Sequence, residues 1–245
     1  MNEALFLGFL SAGSLLIGAG FALRFKMSSK VLGLIMSFGV GALISSVSFE
    51  LIGDAFNESK NITVVAVGSL AGALVYFVGD LLISKFGGKN RKNSTVVSKK
   101  NDDSGPAILL GTILDGIPES VVIGLTILQG GVVSVAMLCA VFLSNIPEAL
   151  SSTTGLLARG WKKRDIIILW LIVVIISTLA SLAGYALFAG ATDIVRAFTL
   201  SFAGGAILTM LANTMLPEAY RNTGKITGLV VILGFLLAFA ITTLQ

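Results

Sequence analysis

The stretch SFGVGALISSVSFELIGDAF, residues 37–56, has the length and composition of a helix that crosses a membrane. Most of its residues are small or aliphatic, and about 20 such residues span the apolar core of a bilayer. The whole chain of 245 residues shares this character, because 55% of it is hydrophobic and only 12% is charged. A soluble domain carries about 25% charged residues. The sequence therefore predicts an all-α membrane protein.

Eight segments of the chain are apolar enough to be transmembrane helices, and we predict that they form one domain over residues 1–245. A polar segment at about 85–105 is expected to be a flexible cytoplasmic loop. The first segment begins with an acidic residue where a signal peptide would carry positive charge, so we expect it to be a retained helix. The predicted spans cover roughly residues 4–23, 31–54, 62–84, 106–128, 133–157, 166–189, 193–219 and 224–244.

Lysine and arginine are distributed unevenly among the predicted loops. All 17 of them except Lys60 and Arg196 fall in the loops after spans one, three, five and seven. Because such an excess marks the cytoplasmic side, we expect these loops inside the cell and both termini outside, in the plasma membrane. The cations flank membrane spans, which favours solvated collars at the bilayer surface over a nucleic-acid-binding surface.

The opening stretch has a second copy. It aligns without gaps with SFAGGAILTMLANTMLPEAY, residues 201–220, and the alignment pairs Asp54 with Glu218. On the predicted orientation these two spans run in opposite directions. Opposed copies are typical of inverted-repeat transporters, whose substrate site lies near the membrane midplane. We therefore predict that helices 1–3 are related to helices 6–8 and helix 4 to helix 5; chance similarity among apolar helices is the alternative.

Three carboxylates lie near the middle of predicted spans. Asp115 and Glu119 belong to DGIPES, residues 115–120, and Glu148 belongs to SNIPEA, residues 144–149. A central aspartate costs about 2.5–3.5 kcal/mol on insertion scales. No lysine or arginine lies at that depth in any span, so an ion pair does not offset this cost. Protonation, hydrogen bonding or a bound cation remain as the ways in which this cost can be offset.

The spacing of the polar residues favours a cation. Asp115 and Glu119 are four apart, as are Ser144 and Glu148, while Asn145 and Glu148 are three apart, and each such pair shares a helix face. Carboxylate, amide and hydroxyl oxygens suit hard or borderline divalent cations such as Mg, Ca or Mn. The chain contains no histidine, which would have favoured zinc or copper.

Prolines inside the two helices predict additional oxygen ligands. Pro118 and Pro147 cannot donate to the carbonyls of Leu114 and Leu143, four residues earlier. We expect these two carbonyls to be freed beside the carboxylates, although transmembrane helices also tolerate proline for packing alone.

At these residues the sequence resembles the ZIP family of divalent metal transporters. The resemblance covers most of the chain: eight spans, both termini outside, a variable loop after span three, and an Ile-Pro-Glu in each of spans four and five. It implies that Glu119, Asn145 and Glu148 are metal ligands. Asp115 and Ser144 occupy ligand positions of the family with different chemistry.

The resemblance also implies a transport pathway outside the central site. Glu50 and Asp54 would collect cations near the outer mouth, and Glu218 would receive them near the cytoplasmic exit. Further positions that match ligand positions of the family are Ser181 in span six and Asn213 and Thr214 in span seven.

The implied function is movement of a divalent cation into the cytoplasm by alternating access, with zinc, manganese or ferrous iron as substrate and no cofactor. On this interpretation the chain is not an enzyme. One alternative is a sensor or scaffold that does not transport. Another is an intramembrane hydrolase that uses Asp115 with Glu119 or Glu148 as an acid–base pair. The sequence is also compatible with a homodimer.

Overall fold

Every regular element in the described part of the chain, residues 1–85, 105–128 and 135–244 of the computed structural model, is a helix. The elements are, in order, α1 (Asn2–Arg24), α2 (Ser29–Ser46), π1 (Val47–Ile52), α3 (Gly53–Ser59), α4 (Ile62–Lys85), α5 (Gly105–Thr126), α6 (Val135–Ala158), α7 (Lys163–Phe188), α8 (Asp193–Met210), π2 (Leu211–Met215), α9 (Leu216–Thr223) and α10 (Ile226–Leu244).

Eight helical stretches among the described residues are long and apolar enough to cross a membrane. Two of them are composite, since Ser29–Ser59 combines α2, π1 and α3, and Asp193–Thr223 combines α8, π2 and α9. The prediction of eight helices in a multi-pass membrane protein is confirmed at this level. Most of the predicted loop at 85–105, from residue 86 to residue 104, lies outside the described residues.

Local sequence signals explain where the composite helices begin and end. The Ser28 hydroxyl accepts a hydrogen bond from the Val31 amide at 3.3 Å and so caps the start of α2. Lys60 follows α3 with a φ of 48°, and Gly224 follows α9 with a φ of 64°. The left-handed conformation of Lys60 is a common way to end a helix. The positive φ of Gly224 is one that glycine adopts readily because it has no Cβ atom.

Two π-helical segments, which the sequence did not predict, interrupt the long second and seventh spans. π1 has the sequence VSFELI and π2 has the sequence LANTM. A π-helix is wider than an α-helix and often occurs at functional sites. π1 carries Glu50 and π2 carries Asn213 and Thr214, so three residues of the predicted pathway lie on irregular helix.

The helices pack as two groups. α1 packs against α6 and α7, and α5 packs against α7, so α1, α5, α6 and α7 form the first helix group. α4 packs against α8, and α2 packs against α10, so the composite second and seventh spans with α4 and α10 form the second helix group. α2 against α6 is the most extensive contact between the groups.

Glycines allow the closest helix crossings in the second helix group. A Cβ atom at Gly72 of α4 would lie 1.8 Å from the Phe202 carbonyl oxygen, and one at Gly68 would lie 2.1 Å from the Ser201 hydroxyl. A Cβ atom at Gly234 of α10 would lie 2.0 Å from the Phe38 carbonyl oxygen. Gly68 and Gly72 thus pack within the chain, as small residues in membrane helices often do.

Candidate functional site

A small polar cavity lies within the first helix group, where α5 and α6 face α1 and α7. It encloses about 10 Å³, which is about the space that one water molecule needs. Six of its lining residues are polar. Five of them carry a hydroxyl or carboxylate group, and one carries an amide. The lining residues are Ala12, Leu15, Thr112, Gly116, Glu119, Ser120, Asn145, Glu148 and Ser177.

Two of the three predicted carboxylates share this cavity. Glu119 of α5 is 3% exposed and Glu148 of α6 is 4% exposed, and both line the cavity wall. Gly116 lies one turn before Ser120 on the same face, and a Cβ atom there would be 3.3 Å from the Ser177 hydroxyl oxygen. Because Gly116 has no side chain, α7 can lie close to the carboxylates.

A hydrogen bond to α1 orients the amide of Asn145. Its Nδ2 atom donates a hydrogen bond to the Ser11 carbonyl oxygen of α1 at 3.1 Å. A carbonyl oxygen only accepts, so the amide nitrogen must face α1. Asn145 also lines the cavity, so its wall includes an amide side chain that is held by this hydrogen bond.

The third carboxylate, Asp115, lies beside the cavity. It is 2% exposed, it is not a lining residue, and its Oδ1 atom accepts a hydrogen bond from the Tyr76 hydroxyl of α4 at 2.5 Å. Ser144 is also buried outside the lining and donates to the Val141 carbonyl oxygen at 3.0 Å within its own helix. The cavity thus brings together Glu119, Asn145 and Glu148, and leaves Asp115 and Ser144 at its edge.

This arrangement limits the metal chemistry of the cavity as it stands. Within residues 1–85, 105–128 and 135–244, no three carboxylate, imidazole or thiol side chains lie close enough to hold one metal ion together. A cation in the cavity would therefore have two carboxylates as its charged ligands, with neutral oxygens from the amide and the hydroxyls.

The two prolines lie inside their helices, as the sequence indicates. The residues whose carbonyls they were expected to free, Leu114 and Leu143, are not lining residues of the cavity. The Leu143 carbonyl oxygen instead faces α2, where a Cβ atom at Gly39 would lie 3.5 Å from it.

The acidic residues of the predicted pathway lie in the second helix group. Glu50 of π1 is buried and accepts a hydrogen bond from the Thr242 hydroxyl of α10 at 2.7 Å. Asp54 of α3 is half-buried. Glu218 of α9 is buried and accepts a hydrogen bond from the Ser151 hydroxyl of α6, which belongs to the first helix group.

The other predicted pathway residues are not at the cavity. Asn213 is exposed, and Thr214 donates to the Met210 carbonyl oxygen at 2.7 Å. Ser181 of α7 is buried and donates to the Ala4 carbonyl oxygen of α1 at 3.0 Å. Ser177, one turn before it, is the residue of α7 that lines the cavity.

Four polar residues near the carboxylates were missed from the sequence. Thr112 and Ser120 share the cavity face of α5 with Glu119. Thr112 lies about two helical turns before the other two, and this spacing could have revealed it. Ser177 and Tyr76 lie on other helices, at positions where serine and tyrosine are ordinary packing residues. Only the tertiary structure brings them to the carboxylates.

Comparison with known proteins gives no information about the function of the cavity. No protein-family model matches the chain, and no curated protein matches it.

Proposed function

We propose that this protein moves a divalent metal cation across the membrane into the cytoplasm, with Glu119, Asn145 and Glu148 as ligands. Zinc, manganese and ferrous iron are the proposed substrates. The observation that carries the proposal is the presence of two carboxylates and an amide oxygen in one enclosed cavity within a bundle of membrane-spanning helices. The resemblance of the two Ile-Pro-Glu helices to the ZIP family supports the same function.

Charge and donor type both favour a divalent cation. Two ionised carboxylates without a counter-charge would be very unfavourable in a buried site. A doubly charged cation would balance them. The polar lining offers oxygen donors, from Glu119, Glu148, Asn145 and three hydroxyls, and oxygen ligands suit manganese and magnesium better than copper. The small volume favours an ion that has lost most of its water.

The proposed inverted repeat is supported by the positions of the π-helical segments. The gap-free alignment of residues 37–56 with 201–220 pairs Val47 with Leu211. These are the first residues of π1 and π2. The same local irregularity therefore begins at equivalent positions of two stretches that resemble each other in sequence.

The glycine crossings support the repeat independently. The alignment pairs Phe38 with Phe202. Gly72 of α4 packs on the Phe202 carbonyl, and Gly234 of α10 packs on the Phe38 carbonyl. The third and eighth spans thus cross the seventh and second spans at matching residues, as expected if spans one to three and six to eight are two copies of one unit.

The two helix groups provide the parts that alternating access requires. The cavity lies within the first helix group, and α2 and α8 of the second group pack against α6 and α5. We propose that a shift of one group relative to the other exposes the cavity first to one side and then to the other. A membrane potential of 100 mV gives a doubly charged ion about 4.6 kcal/mol, at about 2.3 kcal/mol per charge, so ATP is not required.

Uptake by purified protein in sealed vesicles tests the proposal. We expect uptake of at least one ion from a panel of Zn²⁺, Mn²⁺, Fe²⁺, Co²⁺, Cd²⁺, Mg²⁺ and Ca²⁺, and its loss in Glu119→Ala and Glu148→Ala. Glu3→Ala is the matched control, because Glu3 is exposed at the start of α1. Uptake that survives both cavity variants would exclude this site. Metal binding without uptake by the wild-type protein would favour the sensor or scaffold alternative.

A further inference from the structure

We infer that Tyr76 is a positioning residue that sets how many carboxylates the cavity offers to a cation, by holding Asp115 outside it. The inference rests on the proposed function. Tyr76 is 1% exposed on α4, in the second helix group, and its hydroxyl reaches across to Asp115 of α5, in the first group, at 2.5 Å.

The geometry of α5 explains why Asp115 needs such a partner. Thr112, Gly116, Glu119 and Ser120 line the cavity, at the spacing of one helix face. Asp115 lies four residues before Glu119 and next to Gly116, at the edge of that face. A carboxylate at this edge can turn either towards the cavity or away from it, and a hydrogen bond to a buried hydroxyl favours the second direction.

Packing between α4 and α5 places the tyrosine where it can do this. A Cβ atom at Gly79, one turn after Tyr76, would lie 3.0 Å from a methyl carbon of Leu114. Gly79 therefore lets α4 approach α5 next to Asp115. The hydrogen bond crosses the boundary between the two helix groups, so the position of Asp115 depends on how the groups are arranged.

Removal of the tyrosine hydroxyl should add Asp115 to the cation site. For Tyr76→Phe we expect the dissociation constant for Mn²⁺, measured by calorimetric titration of the full chain with MnCl₂ after chelator treatment, to fall roughly tenfold. The same change in an Asp115→Ala background should leave the dissociation constant of that background unaltered. Tyr185→Phe, on α7, is the control for loss of a tyrosine hydroxyl.

Two results of the titration would overturn the inference. One is an unchanged or weaker affinity for Mn²⁺ in Tyr76→Phe. The other is a tenfold change that persists when Asp115 is alanine, because the effect would then not pass through the carboxylate.

Thermal unfolding keeps the inference testable if Tyr76→Phe folds poorly or if the wild-type protein binds no metal. The single change leaves a buried carboxylate without its hydroxyl donor, whereas removal of both partners is expected to be nearly neutral. Tyr76→Phe/Asp115→Ala should therefore recover the unfolding midpoint that Tyr76→Phe loses. A double variant as unstable as the sum of the single variants would contradict the pairing. A wild-type protein that binds no metal would reject the proposed function and the cation part of the inference, and a recovered midpoint would then support only the pairing of Tyr76 with Asp115.

Discussion

At the scale of single residues, Asn145 shows how a proposed neutral ligand is oriented. Its amide nitrogen donates to the Ser11 carbonyl oxygen, and the residue lines the cavity. Asn145→Asp replaces the donor with a second acceptor that faces the same carbonyl. We expect the free energy of unfolding to fall by about 1–3 kcal/mol, the cost of an unsatisfied buried polar pair. Thermal unfolding in detergent measures this change.

Asn57→Asp is the matched control for that prediction, because Asn57 is exposed on α3 and the same chemical change there buries no new charge. An Asn145→Asp protein that unfolds at the wild-type midpoint would show that the Ser11 contact does not hold the amide in place.

The sequence predicted which residues belong near the site better than it predicted where each side chain lies. The spacing predicted that Asn145 and Glu148 share one helix face, and the family resemblance implied that both act with Glu119; all three line the cavity. The same argument placed Asp115 beside Glu119. It could not predict that Asp115 does not line the cavity, because the hydroxyl that binds Asp115 belongs to Tyr76, which is 39 residues away in the chain and on another helix.

At the scale of helices, glycine crossings are the contacts most sensitive to side-chain size. Gly72→Ala would place a Cβ atom 1.8 Å from the Phe202 carbonyl oxygen, so α4 and α8 would have to separate. We expect a loss of about 1–3 kcal/mol in the free energy of unfolding, typical of overpacked sites. If the repeat is real, Gly234→Ala should have a similar effect at the Phe38 carbonyl. Unfolding midpoints of the purified variants measure both.

Gly20→Ala is the control for these two variants, because a Cβ atom at Gly20 meets nothing within 4 Å. Alanine there should not lower the midpoint, since alanine favours a helix more than glycine does. A midpoint for Gly72→Ala as high as that of Gly20→Ala would argue against the close crossing.

The irregular helices show the limit of sequence patterns at this scale. Apolar runs of about 20 residues predict spans, because length and composition alone decide whether a helix can cross a bilayer. Nothing in VSFELI or LANTM distinguishes a π-helix from an α-helix, since neither segment contains glycine or proline. Their equivalent positions in the aligned stretches become apparent only when the backbone is known.

At the scale of the whole molecule, the division into two helix groups is a feature that hydropathy could not predict. All eight spans are apolar enough on average to cross a membrane, so hydropathy does not show which spans pack together. Because of this division, two hydrogen bonds connect parts of the protein that move relative to each other in the proposed mechanism. Tyr76 to Asp115 and Ser151 to Glu218 both join one group to the other, and both would have to break if the groups shift.

A disulfide across the boundary should therefore stop transport. Gly79→Cys with Leu114→Cys joins α4 to α5, because the Cβ position at Gly79 lies 3.7 Å from the Leu114 Cγ atom, which the new sulfur atom replaces. The changes are made with Cys139→Ser, so that no other thiol is present. We expect oxidation to abolish metal uptake in vesicles and reduction to restore it, because the first and second helix groups can no longer move apart.

The control disulfide lies within the second helix group. Gly68→Cys and Ser201→Cys join α4 to α8, where the Cβ positions are 3.3 Å apart. Because a Cβ atom at Gly68 also crowds this crossing, uptake is compared between the oxidised and reduced forms of the same variant. Since these helices belong to the same group, oxidation should leave the uptake of the reduced form unchanged. Equal inhibition by both disulfides would indicate a general loss of flexibility, and full transport with the α4–α5 disulfide closed would refute movement between the groups.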